Sequence, residues 1–181
     1  MEKLLKTFED LKRKNLSIDL TRGKPHSDQL NLSNDLMTQA VDPIGENGVD
    51  LRNYGEPIGI IEARRLGADI LDSKVDLTIA GEQSSYLLMT QLLLGRSLFG
   101  LDNDPWKDEK EPAFLCAVPG FDRHFATLEG LGLKMHTVNL CSSGIDLDDL
   151  NKKLSKYANI KGLICVPRHS NPSGEVFSDE N

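Results

Sequence analysis

Leu4, Leu5, Phe8 and Leu11 recur at helical spacing among charged residues over positions 2 to 14, which predicts an amphipathic helix. A polar stretch follows, from LTRGKPHSDQLNLSNDL through VDPIGENGVDLRNYGEPIG. Its glycines, prolines and asparagines, with little apolar period, predict ordered loops and short helices. From about Gly59 the pattern changes. IIEARRLGADIL predicts an amphipathic helix, DLTIA a short buried strand, and Ser84 to Phe99 a long apolar-rich helix. After an acidic loop, DNDPWKDEKEP, come strand AFLCAV, helix FDRHFATLEGLG, strand LKMHTVNL, helix DLDDLNKKLSKYA and strand IKGLICV. Strands alternating with helices at this spacing indicate an α/β layered fold with a mainly parallel sheet. The acidic loop reads as a solvated connection and is assigned no function.

At 181 residues the chain has the length of one domain with room for a small appendage. Its 39% apolar and 27% charged residues describe a soluble globular chain. The net charge of −7 argues against a nucleic-acid or anionic-membrane binder, since both need a basic face. No apolar run approaches a membrane span, and the N-terminus alternates charge with Leu and Phe unlike a signal peptide. A cytoplasmic location is expected. Cys116, Cys141 and Cys165 form no CxxC, and two of them sit inside apolar runs, where cysteine behaves as a small hydrophobe. The four histidines are scattered without metal-ligand spacing, so no metal site is expected.

Parallel sheets place ligands at the carboxyl ends of their strands. Three segments are predicted to fall there: AGEQSS after DLTIA, PGFDRH after AFLCAV, and PRHSNPSG after GLICV. In the first, Gly81 permits a tight turn, and Ser84 and Ser85 open a helix whose free N–H groups and hydroxyls suit a phosphate; serine is equally a common N-cap. In the second, Phe121 at a strand end either covers a planar cofactor or packs in the core beside Asp122 as N-cap. His124, one turn on, either hydrogen-bonds in the site or caps a surface. In the third, the Asn171 amide has a donor for a ligand oxygen, although Asn-Pro and Gly mark a turn in any protein. Upstream, Tyr54 in RNYG is a phenol for a phosphate or a packed loop aromatic. Thr21-Arg22-Gly23-Lys24-Pro25 is a turn with two cations that is either solvated or lines an anionic substrate.

The ordered series LTRGKP, RNYG, SS, PGFDRHF and SNPSG resembles class I, fold-type I aminotransferases that depend on pyridoxal phosphate (PLP), in particular the aspartate aminotransferase-like subgroup. The likeness runs from about Ile18 to Asp179. It implies a three-layer, mainly parallel sheet belonging to a truncated PLP-dependent transferase large domain (51–181), preceded by an N-terminal arm and small-domain segment (1–50). By that resemblance Gly81, Gln83, Ser84 and Ser85 hold the cofactor phosphate, with Gln83 standing where relatives carry Asn. Phe121 stacks on the pyridine ring, and Asn171 donates to the ring's phenolic oxygen. Tyr54 reaches the phosphate of a neighbouring subunit, which implies a homodimer, and Gly23 lies near the substrate carboxylate.

None of the 13 lysines follows the NPSG turn, where the family carries its Schiff-base lysine, so no catalytic residue is assigned in this chain. The expectation is the N-terminal part of an enzyme that moves an amino group between an amino acid, of acidic type, and a 2-oxo acid. The 181 residues alone are expected to be inactive and poorly stable, or to hide an uncovered sheet face in an oligomer. The competing reading is a non-catalytic PLP- or phosphate-binding or dimerising module; a third is an unrelated α/β domain with accidental turns.

Overall fold

The computed structural model describes residues 2–18, 23–101 and 103–181. The chain forms two compact units, Met1–Glu56 and Pro57–Asn181.

In the first unit, α1 (Glu2–Arg13) has the predicted amphipathic period, with Lys12 and Arg13 in its last turn, where cations suit the helix dipole. The short α2 (Ser27–Asn31) starts at a capping box. His26 Nδ1 accepts from the Asp28 N–H, and Gln29 Oε1 accepts from the His26 N–H at 2.7 Å. A 3₁₀ turn over Asn34–Thr38 and a single bridge between Ile44 and Asp50 complete the ordered loops that the polar stretch predicts.

The second unit holds α3 (Ile61–Leu71), α4 (Ser85–Leu98), β1 (Ala113–Val118), α5 (Asp122–Gly130), β2 (Lys134–Cys141), β3 (Gly144–Ile145), α6 (Leu147–Lys156) and β4 (Ile160–Ile164). The sheet order is β3-β2-β1-β4, with β1 parallel to both β2 and β4. Only β3 runs antiparallel, against the end of β2. Its two residues are too few to leave a period, and the Asn181 side chain extends the pairing. The Asn181 amide accepts from the Ile145 N–H at 2.9 Å and donates to the Ile145 carbonyl at 2.8 Å.

β1 is buried on both faces, as a central parallel strand must be. Phe114 and Cys116 pack with Leu93, Trp106, Leu128 and Leu133, between the sheet and the helices α4 and α5. Leu115 and Ala117 face the other way, onto Val138, Ile145 and Leu150 of the α6 side. The alternation of β1 thus builds three layers from one strand. Trp106 corrects the reading of the acidic loop as merely solvated. It is buried, meets Phe114 edge-on at 5.6 Å, and has the Arg96 guanidinium 5.2 Å from its ring centre.

DLTIA is not the buried strand its composition predicts. Val75–Leu77 forms a 3₁₀ turn, and Leu77 and Ile79 stand 76% and 66% exposed. The backbone acceptors that a ladder would use are taken by a side chain: Arg64 donates to the carbonyls of Val75 at 2.8 Å and Thr78 at 2.9 Å. The segment's one backbone link to a preceding loop joins the Ala80 N–H to the Ile58 carbonyl at 3.0 Å. Gly59 makes that approach feasible. It sits at φ +89°, and a Cβ there would run into the Ala80 carbonyl oxygen.

Candidate functional site

β1 ends at Val118, and Pro119-Gly120 turns the chain into α5. A Cβ on Gly120 would stand 2.6 Å from both the Ala117 carbonyl oxygen and the Phe125 ring, so only glycine fits this bend. Phe121 is the N-cap residue of α5, with no side-chain capping bond, and Asp122 is the first helical residue rather than the cap. The Phe121 ring meets His124 edge-to-face at 5.1 Å, with the Arg123 guanidinium 6.0 Å from its centre.

β4 ends at Ile164, two residues before the predicted limit, and leads into the second segment at the same sheet edge. There Ser170 is buried. Its N–H donates to the Glu175 carbonyl at 2.9 Å, and its carbonyl accepts from the Gly174 N–H at 2.5 Å. The NPSG turn is thereby closed on itself, with Asn171 exposed at its start. Phe121, His124, Phe125, Cys165, Val166 and Ser170 line one small cleft at the carboxyl ends of β1 and β4.

The AGEQSS segment does not follow a strand, contrary to the expectation, yet it is tied to the same edge through α4. Ser84 is the N-cap, extended at φ −131°, and its hydroxyl accepts from the Leu87 N–H at 3.3 Å. The N–H groups of Ser85 and Tyr86 lie in the helix's first turn, with no carbonyl one turn behind them. Gly81 and Gln83 are exposed, and a Cβ on Gly81 would touch nothing within 4 Å, which leaves its backbone open. The Tyr86 hydroxyl bonds Thr127 Oγ1 of α5 at 2.7 Å, and the Tyr86 ring lies nearly parallel to His124, 6.4 Å away. Sequence reasoning passed over both Tyr86 and Thr127. The only available signal was their position, beside the serine pair and one turn beyond His124.

Burial lowers the His124 pKa from its ordinary 6.5, because desolvation disfavours the imidazolium. Burial also pushes the Cys116 thiol up to about 11, in line with its reading as a small hydrophobe. Tyr54 and Gly23 belong to the first unit. Tyr54 is 96% exposed and its N–H donates to Asn53 Oδ1 at 2.8 Å; Gly23 has open space around it. Thr21 and Arg22 of the predicted cationic turn lie outside the described residues. Next to Tyr54, Arg52 grips Asp50 with two bonds of 2.8 and 2.7 Å, which holds that carboxyl below its ordinary range. Among the described residues no group of His, Cys, Asp or Glu could hold a metal ion, and no helix is long and apolar enough to cross a membrane.

The family model for aspartate amino-transferases matches residues 1–181. The chain belongs to that family. It is 38% identical to the aspartate aminotransferase of Corynebacterium glutamicum over 186 residues, which cover 99% of this chain and 42% of that relative. A crystal structure of an aspartate transaminase from C. glutamicum superposes with a TM-score of 0.85 at 37% identity, over 99% of this chain and 43% of that one. An α-aminoadipate aminotransferase from Thermus thermophilus, solved with N-(5'-phosphopyridoxyl)-L-leucine, shares the fold at a TM-score of 0.55 and 18% identity, over 70% of this chain and 29% of its own. The chain thus spans less than half the length of the relatives it matches, and its fold is that of PLP-dependent aminotransferases.

Proposed function

We propose that these residues form the cofactor-holding half of a PLP-dependent aminotransferase that moves an amino group between an acidic amino acid and a 2-oxo acid. The observation that supports this best is the meeting of Phe121 and the SNPSG turn at one cleft on the carboxyl ends of parallel strands, with α4 anchored beside it.

The residues fit the group. A helix start with two unengaged N–H groups, a serine N-cap, a second serine and an open glycine backbone make a donor set suited to a phosphate dianion. In this reading Gly81, Gln83, Ser84 and Ser85 receive the phosphate, Phe121 covers the ring face, and Asn171 donates to the ring's phenolic oxygen. PLP, when bound, supplies an electron sink for the substrate's α-carbon. The neutral His124 keeps Phe121 at a fixed tilt without adding charge beside the ring. Tyr54 serves the phosphate of a second subunit in a homodimer, and Gly23 lies by the substrate carboxylate. Residues 1–50 then belong to an arm and small domain, 51–181 to the large domain. No residue of the 181 is assigned the covalent step, and the isolated piece is expected to be inactive. A cytoplasmic location belongs to the same proposal.

The test is amino transfer by the whole enzyme to which these residues belong, loaded with PLP, from L-aspartate and from L-alanine to 2-oxoglutarate. Transfer from aspartate is expected. Transfer from alanine alone would overturn the acidic-substrate assignment, and PLP binding without transfer from a panel of amino acids would overturn the reaction itself.

A further inference from the structure

A second hollow lies at the opposite edge of the sheet. It has a volume of about 550 Å³ and is walled by the segments that enter β1, β2 and β4. Because these strands are parallel, their entries share one edge, a strand's length of about 20 Å from the cleft with Phe121. The floor is a ring pair, His136 on Tyr157, stacked with centroids 3.5 Å apart and planes 5° from parallel. The rim carries Lys110, Lys134 and Lys156, against one carboxylate, Glu111.

Three features set this rim apart from an ordinary charged surface. None of its three lysines has a carboxylate within 4.0 Å among the described residues, whereas Lys153 and Lys161 nearby are paired, with Asp149 and Glu109. Lys156 Nζ lies 5.0 Å from the Tyr157 ring centre, which puts the exposed ammonium within cation–π range of the hollow's aromatic wall. The loops are also braced. The Asn159 amide donates to the Lys110 carbonyl at 2.9 Å, the Lys134 N–H to the Pro112 carbonyl at 2.9 Å, and the Ala113 N–H to the Asn159 carbonyl at 3.1 Å. In a chain with a net charge of −7, three unpaired cations on one braced hollow are a local reversal of sign.

We propose that this hollow binds a small polyvalent oxyanion, with Lys110, Lys134 and Lys156 receiving its charged oxygens beside the His136–Tyr157 stack. The field at His136 has the matching sign. Burial and the charges of Lys153, Lys156 and Lys134 lower its pKa, and Glu111 opposes them only in part. A site at the strand entries owes nothing to the cofactor assignment and stands or falls without it. It is far enough from the strand exits to act on the protein without displacing a ligand there.

The test is calorimetric titration of inorganic pyrophosphate into the purified full chain at fixed ionic strength, with citrate as a second arm. Saturable binding is expected, weakened about tenfold by Lys134→Ala and by Lys156→Ala, since each loses one charge-assisted contact. Lys74→Ala, at a surface lysine outside the hollow, should leave it unchanged, the Ser84→Ala/Ser85→Ala pair reports any separate binding at α4, and the His136 ring resonances should shift over the same titration. Citrate following the same lysine pattern would support a general oxyanion site; pyrophosphate alone following it would support a phosphate-selective one. Binding lost only in the serine pair would put the anion at α4 and overturn the proposal. So would equal weakening by Lys74→Ala, or the absence of saturable binding. All the substituted lysines are at the surface, and unchanged melting temperatures would exclude a folding effect.

Discussion

The hydroxyl of Tyr86 donates to Thr127 Oγ1 at 2.7 Å, joining the first turn of α4 to the middle of α5 across 41 residues of sequence. The direction follows from proton counting: the single Thr127 hydroxyl proton is already given to the Arg123 carbonyl at 3.0 Å, so Thr127 accepts from Tyr86. This one bond connects the helix of the serine pair to the helix of Phe121. Tyr86→Phe removes the donor and leaves the ring in place, and should cost about 1 kcal/mol of stability. A lower urea midpoint at unchanged m-value would show it; an unchanged midpoint would mean the two helix ends are held by packing alone.

Ser84→Ala/Ser85→Ala bears on the phosphate assignment. Loss of two hydroxyl donors to a charged group should weaken PLP binding by roughly ten- to a hundredfold. Loss of the Ser84 cap adds about 1 kcal/mol of destabilisation. Cofactor affinity by absorbance titration separates the two effects. Unchanged affinity would remove the assignment of these serines to the phosphate.

Gly59→Ala tests the contact that pins the segment before α4. A methyl at φ +89°, pressed on the Ala80 carbonyl, combines backbone strain with a clash, and should cost about 2 kcal/mol or more. Thermal unfolding measures it. Gly81→Ala, with open space around it, should cost far less.

The cysteines should react in a fixed order with a disulfide reagent at pH 8. Cys141 is exposed, and hydrogen bonding by Ser143 lowers its pKa, so its thiolate is available first. Cys165, half-buried with a raised pKa, should follow. Cys116, near 11 and buried, should react only on unfolding. Peptide mapping of a partial labelling reaction reads the order directly.

His124 and His136 both have folded-state pKa values below the ordinary 6.5. The unfolded chain therefore binds more protons as pH falls below 6.5, and their contribution favours folding above that pH and is lost progressively below it. Histidine NMR titrations should give midpoints under 6.5 for both rings.

Much of this was legible in the chain itself. The helices α3, α4, α5 and α6 and the strands β1, β2 and β4 follow from local period, because each turns one stripe or both faces to a neighbour; α1 follows its period as well, although Leu4, Leu5, Phe8 and Leu11 stand exposed. That PGFDRH and the SNPSG turn would meet at one sheet edge was legible too, since parallel strands share the edge at which they end. DLTIA was not, because a strand exists only where a neighbour supplies its ladder, and there Arg64 takes the carbonyls instead. Trp106 in an acidic loop was equally opaque: its burial depends on a socket between Arg96 and Phe114, built from distant segments. The strand entries could not be seen as one place at all. Lys110, Lys134 and Lys156 lie in separate segments, and only parallel pairing of β1, β2 and β4 brings them around one hollow. Local periodicity is written in neighbouring residues and can be read from them; which carbonyl, ring or charge meets which is decided by long-range closure of the sheet.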